Sequence, residues 1–84
     1  MRVDKFLKLS RIIKRRTVAH DAASKNHILV NDKPAKPSKE IKVDDIITVK
    51  YFHRIILLKV LKLDERANKE SAKDMYEIIE IKEQ

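Results

Sequence analysis

The chain has no cysteine, no glycine and no tryptophan, and only two prolines among its 84 residues. Without thiols there is neither a disulfide framework nor a thiolate metal site, which fits a reducing compartment. Without glycine there is no glycine-rich phosphate loop, and every turn that needs positive φ falls to residues with a Cβ. Asn and Asp tolerate that region best, and they stand where turns are wanted: Asn26, Asn31-Asp32 and Asp44-Asp45. Long uncharged apolar runs are also missing, and the first residues alternate charge with hydrophobe. This predicts neither a signal peptide nor a membrane span, and a soluble, cytoplasmic protein that makes no membrane contact. His20, His27 and His53 are scattered and have no cysteine partners, so no metal site is expected. No Ser/His/Asp arrangement has motif support. A chain this short buries roughly 60–65% of its unfolded surface, enough for one modest core and no separate catalytic domain. A non-enzymatic protein without cofactors is expected.

What is abundant is positive charge, and it is concentrated. Lys and Arg number 20 against 13 Asp and Glu, a formal net charge of +7. Seven of the bases lie in the first twenty residues (Arg2, Lys5, Lys8, Arg11, Lys14, Arg15 and Arg16), where Asp4 is the one acid. The remainder of the chain is close to neutral. Each Lys or Arg that neutralises a phosphate releases counterions and adds affinity, so a dense local patch on a small domain reads as a phosphate-binding face. The plainer alternative is a solvated helix face or a basic tail. A tail needs no hydrophobes, whereas Val3, Phe6, Leu7, Leu9, Ile12 and Ile13 are interleaved with these bases and must bury against something.

Periodicity supplies the elements. Val3, Phe6, Leu7 and Ser10 share one helical face, and Leu9, Ile12 and Ile13 fall out of phase with it. This predicts a helix ending near Leu9, a turn from Arg11 to Lys14, and a second helix over about Arg16 to Lys25. In that second helix Val18, Ala19, Ala22 and Ala23 form the expected buried stripe, and Asn26 stops it. His27 to Val30 reads as a strand, Asn31-Asp32 as a two-residue hairpin turn, and Lys33 to Lys39, with Pro34 and Pro37, as an irregular edge. After the Asp44-Asp45 turn come a strand over Ile46 to Phe52, a turn at His53-Arg54, a strand over Ile55 to Leu63, a charged loop over Asp64 to Asp74 with at most one helical turn, and a last strand over Tyr76 to Ile81. The fold class is therefore α+β: two packed amino-terminal helices on a small, mostly antiparallel sheet with a carboxyl-terminal strand extension.

Five blocks of this pattern fall in a familiar register. Arg2-Val3-Asp4-Lys5-Phe6-Leu7, Arg11, Arg15-Arg16-Thr17-Val18-Ala19, Ile28-Leu29-Val30-Asn31 and Asp44-Asp45-Ile46-Ile47-Thr48-Val49 resemble the RNA-binding domain first described in small-subunit ribosomal protein four, also called the αL motif. That resemblance implies a bent sheet under the helix pair. It divides the chain, 1–84, into an αL core at 1–52 and a β extension at 53–84, together a single RNA-binding domain. Lys14-Arg15-Arg16-Thr17 and Ala72-Lys73-Asp74-Met75-Tyr76 extend the resemblance to the bacterial factors of ribosome-associated quality control, the RqcP-type relatives of heat-shock protein fifteen. Such a family implies a factor that binds large-subunit ribosomal RNA and peptidyl-tRNA on stalled large subunits, and stabilises the peptidyl-site tRNA while an RqcH-type tailing factor adds alanine to the nascent chain. A monomer is expected. The neighbouring readings are a heat-shock-fifteen-like recycling factor, a targeting module of an RNA-modifying enzyme, a general structured-RNA-binding module and a DNA-binding helix pair. The chain departs from the family pattern at Asn26, Asp32 and Asp44, where glycine is usual.

The candidate RNA-binding residues are Arg2, Asp4, Lys5, Lys8, Arg11, Lys14, Arg15 and Arg16. Arg2 precedes the first helix and Arg16 opens the second, so both are expected beside helix amino termini, whose free N–H groups suit phosphate. In the proteins that the chain resembles, the matching arginines face RNA. Asp4 is expected to cap the first helix, to hold an arginine in place, or both. The other bases are expected to contact phosphates without reading bases. Lys25, Lys33, Lys36 and Lys39 read as solvated loop charge. Phe6, Leu7, Val18, Ile28, Val30, Ile47 and Val49 are the expected core, and Tyr51 and Phe52 either stack on a base or pack in the sheet.

Overall fold

The computed structural model describes residues 1–51 and 53–83, with Arg16 and Tyr51 described by their backbone alone. The aromatic expectation at Phe52 and the side-chain expectations at Tyr51 and Arg16 therefore lie outside the described residues.

Helix α1 spans Val3–Leu9 and buries Val3, Phe6 and Leu7 completely, as its apolar spacing requires. It ends because Arg11 takes φ 62°. The Arg11 N–H then turns back to the Lys8 carbonyl at 3.1 Å, and Ser10 is buried beneath the turn. Helix α2 spans Arg16–Ser24 and closes in a Schellman motif. Asn26, at φ 61°, donates to the Ala23 carbonyl at 3.1 Å, and His27 donates to the Ala22 carbonyl at 2.8 Å. Asn thus does what glycine does at most helix ends.

Strands β1 (Ile28–Val30) and β2 (Lys33–Pro34) pair Val30 with Lys33 across Asn31 and Asp32, whose φ values of 51° and 67° make the primed two-residue turn. The Asn31 side chain reaches across to the next crossing: its Oδ1 accepts from the Ile46 N–H at 3.0 Å and its Nδ2 donates to Asp45 Oδ1 at 3.1 Å. Strands β3 (Ile46–Tyr51), β4 (Arg54–Val60) and β5 (Tyr76–Glu83) complete a five-stranded sheet of order β2-β1-β3-β4-β5, antiparallel throughout. Ile28, Val30, Ile47, Val49, Leu58 and Val60 join α1 and the alanines of α2 in one core.

Several boundaries differ from the sequence expectation. Arg54 belongs to β4, paired with Tyr51, and β4 stops at Val60 because Leu61 turns away to donate to the Met75 carbonyl at 2.8 Å. The charged loop returns to the core through a short 3₁₀ turn, Ala72–Met75, in which Ala72 and Met75 are both buried. β5 runs on to Glu83 as an edge strand and leaves Ile78, Ile79 and Ile81 exposed.

Val18 is not core. It is 40% exposed, whereas Ala19 and Ala23, four residues apart, are buried and make the contact with the rest of the molecule. A neighbour in sequence lies about 100° round the helix axis, so a stripe made by two alanines leaves Val18 outside it. Small side chains draw α2 close, and close approach narrows the buried face.

Candidate nucleic-acid interface

Arg2 is fixed from below. It is the residue that precedes α1, and its Nη2 donates to Asp4 Oδ2 at 3.1 Å. Asp4 is 1% exposed, while its Oδ1 accepts from the Lys5 N–H at 2.7 Å within the first helical turn. Asp4 therefore orients an arginine, one of its two expected roles. It is not the helix's cap, because Arg2 holds the cap position with no side-chain cap bond, although Asp4 does satisfy one first-turn N–H. Without Asp4, the guanidinium would sweep several rotamers beside six other bases. The Arg2 side chain is 42% exposed, so one side of the ion pair faces solvent. Among the described residues its Nε is buried with no hydrogen-bond partner.

The other half of the expectation for Arg2 fails. The amino-terminal N–H groups of α1 are not available to phosphate, because the loop after β2 caps them. Val3 donates to the Lys39 carbonyl at 2.8 Å and Asp4 donates to the Pro37 carbonyl at 3.3 Å. An isolated β-bridge between Arg2 and Glu40 holds the same loop, together with an ion pair of 2.8 Å between the terminal ammonium and Glu40. That ammonium, by hydrogen bond and by charge, holds the Glu40 carboxyl below its ordinary value, with a smaller contribution from Arg2.

The remaining bases fall into three groups. Arg11, Lys14 and Arg15 come together around a hollow at the α1–α2 turn that also includes Val18. The exposed valine that sequence periodicity assigned to the core is thus an apolar patch beside three cations, suited to the face of a ribose or base. Lys5 points toward the carboxyl-terminal segment, where its Nζ lies 3.1 Å from Glu65 Oε1. Lys8 is exposed. Arg16 opens α2, as expected, with its side chain outside the described residues.

Sequence reasoning missed the residues that complete the Arg2 neighbourhood. Thr17 and His20 on α2, with the acid Asp21 beside them, share a cleft of about 350 Å³ with Arg2 and Asp4. Their separation of three residues was the available signal, since it places both on the helix face turned to Arg2. No helix among the described residues is long and apolar enough to cross a membrane.

Comparison with known proteins agrees with this architecture. The model of the S4 domain family matches residues 1–47, and a trimeric Heat Shock Protein 15 of Vibrio cholerae superposes with a TM-score of 0.86 at 25% identity, covering 93% of this chain and 80% of that one. Helix pair and sheet are those of an S4-domain RNA-binding protein. Over 79 residues the chain is 49% identical to the RQC P-site tRNA stabilizing factor of Streptococcus pneumoniae, covering 94% of this chain and 90% of the relative. Identity to the Bacillus subtilis factor of the same name is 42%, covering 94% and 92%. The chain belongs to the family of these RQC P-site tRNA stabilizing factors.

Proposed function

We propose that the chain is a non-catalytic, cytoplasmic factor of ribosome-associated quality control, acting as a single RNA-binding domain. It binds large-subunit ribosomal RNA and peptidyl-tRNA on large subunits left by stalled ribosomes, and steadies the tRNA in the peptidyl site. A tailing factor of the RqcH type then extends the nascent chain with alanine on the same subunit, and the chain itself acts as a monomer. The observation that carries this reading is Arg2, clamped by the buried Asp4 yet open to solvent, within the amino-terminal segment that holds most of the chain's excess charge. The names of the relatives supply the ribosomal setting.

Mechanistically, binding rests on positioning and charge. Arg2 presents guanidinium donors to backbone phosphates, and Arg16 at the start of α2 is assigned the same task. Lys8, Arg11, Lys14 and Arg15 add the longer-range attraction, and Lys5 joins them by exchanging Glu65, an exposed pair worth little, for a phosphate.

Sedimentation of the tagged protein from cell extract tests the proposal, comparing free large subunits, intact ribosomes and large subunits retaining peptidyl-tRNA. Enrichment on the last is expected, with loss of about tenfold or more in Arg2→Ala and Arg16→Ala and a much smaller loss in the exposed, distant Lys69→Ala. Sedimentation with none of these particles, or equal losses in all three variants at matched salt, would remove the helix-pair face from the mechanism. Equal enrichment on all obstructed subunits, without any dependence of alanine tailing on the protein, would favour the recycling role instead.

A further inference from the structure

A second groove lies outside the helix pair. About 570 Å³ in volume, it runs along β2 and the loop that follows, and Lys33, Lys36, Lys39 and Lys42 all line it. All four lysines are exposed, and among the described residues none is drawn into an ion pair. The two acids in the lining are already engaged: Glu40 holds the terminal ammonium, and Asp45 accepts from the Lys42 N–H at 2.8 Å and from Asn31. Glu40 is thus offset by the terminal ammonium and Asp45 keeps its charge, so the groove presents four ammonium groups against one carboxylate, although the sequence around it, with its acids counted in, looks almost neutral.

This groove is continuous with the Arg2 site. An intermediate cleft shares Pro34, Lys36 and Ser38 with the lysine groove, and shares Arg2 and His20 with the cleft between the helices. The backbone explains the continuity, since the carbonyls of Pro37 and Lys39 cap α1 and so pull the lysine-bearing loop against Arg2.

We propose that the Lys33, Lys36, Lys39 and Lys42 groove is a second site for an RNA phosphodiester backbone, continuous with the first, so that bound RNA is held from the helix pair round to the hairpin. The proposal rests on the RNA-binding reading above. Lysines suit this task as point charges on flexible stems: they follow a backbone without reading its sequence.

The test measures affinity for purified large-subunit ribosomal RNA across a salt series. The proteins compared are the unaltered chain, a variant with Lys33, Lys36, Lys39 and Lys42 all changed to Gln, a charge-matched control with Lys62, Lys69, Lys73 and Lys82 changed to Gln, and Arg2→Ala. All eight lysines are exposed, so each variant is expected to fold, which circular dichroism checks. The groove variant is expected to bind about tenfold or more weakly, with the slope of log affinity against log salt reduced by about 3, and the control to lose much less. If the groove variant matches the unaltered chain or falls only as far as the control while Arg2→Ala is impaired, the second site is overturned and the first stands. If Arg2→Ala also binds normally, both readings fall. Unchanged RNA binding together with lost binding of a polyglutamate probe would assign the groove to an acidic protein surface, and overturn the RNA reading.

Discussion

Arg11 shows how a single residue can serve two demands that oppose each other. Its φ of 62° is the conformation in which an L-residue's Cβ crowds the following carbonyl, and glycine would relieve that strain. The side chain retained there stands with Lys14 and Arg15 around the hollow at the helix turn. Arg11→Gly is therefore expected to stabilise the fold by about 0.5 kcal/mol, the relief of strain being partly offset by a more flexible unfolded chain. The same variant is expected to bind RNA more weakly. Thermal melting and an RNA titration on one preparation check both signs, and a variant that gained stability with no loss of binding would leave the strained arginine without a function. Asn26, Asp32 and Asp44 also have positive φ, of 61°, 67° and 76°, and they were legible in the sequence as turn residues. Arg11 was not, because nothing in an arginine's chemistry favours a left-handed backbone.

Among the elements, the two helices contribute unequally. α1 seats Phe6 and Leu7, both without exposure, deep in the core, whereas α2 touches it mainly through Ala19 and Ala23. Phe6→Ala is expected to cost about 3–5 kcal/mol, and Val18→Ala less than about 0.5 kcal/mol, by chemical denaturation. A large loss at Val18 would mean that its outward face packs against something in solution. The helix periods, the hairpin turn and four of the five strands could be read from the sequence because each is a local pattern of two or about four residues. The short strand β2 read only as an irregular edge. Local patterns did not predict that Met75, in a highly charged stretch, returns to the core, since its burial depends on where β4 and β5 leave room.

For the whole molecule, the amino terminus and the loop over 36–40 form one unit, tied by the α1 caps, the Arg2–Glu40 bridge and the terminal ion pair. Because the Glu40 carboxyl titrates below its ordinary value of 4.5, the folded state favours its ionised form. The stability this adds is present above that value and is lost as pH falls through the lowered one. Melting temperatures of the unaltered chain and Glu40→Gln should therefore differ near neutrality and converge as pH drops below 4.5; a gap that persists into acid would assign the effect to packing rather than charge. The sequence by itself determined the fold class, the helix pair and the concentration of bases in the first twenty residues, because composition and periodicity are properties of the chain alone. Only the tertiary structure decided that Asp4 is buried under Arg2, that Val18 faces out beside three cations, and that four lysines from a nearly neutral stretch share one groove beside the helices. Those outcomes depend on which acids the folded backbone engages and which cations it leaves facing solvent, and net charge along a chain carries no record of either.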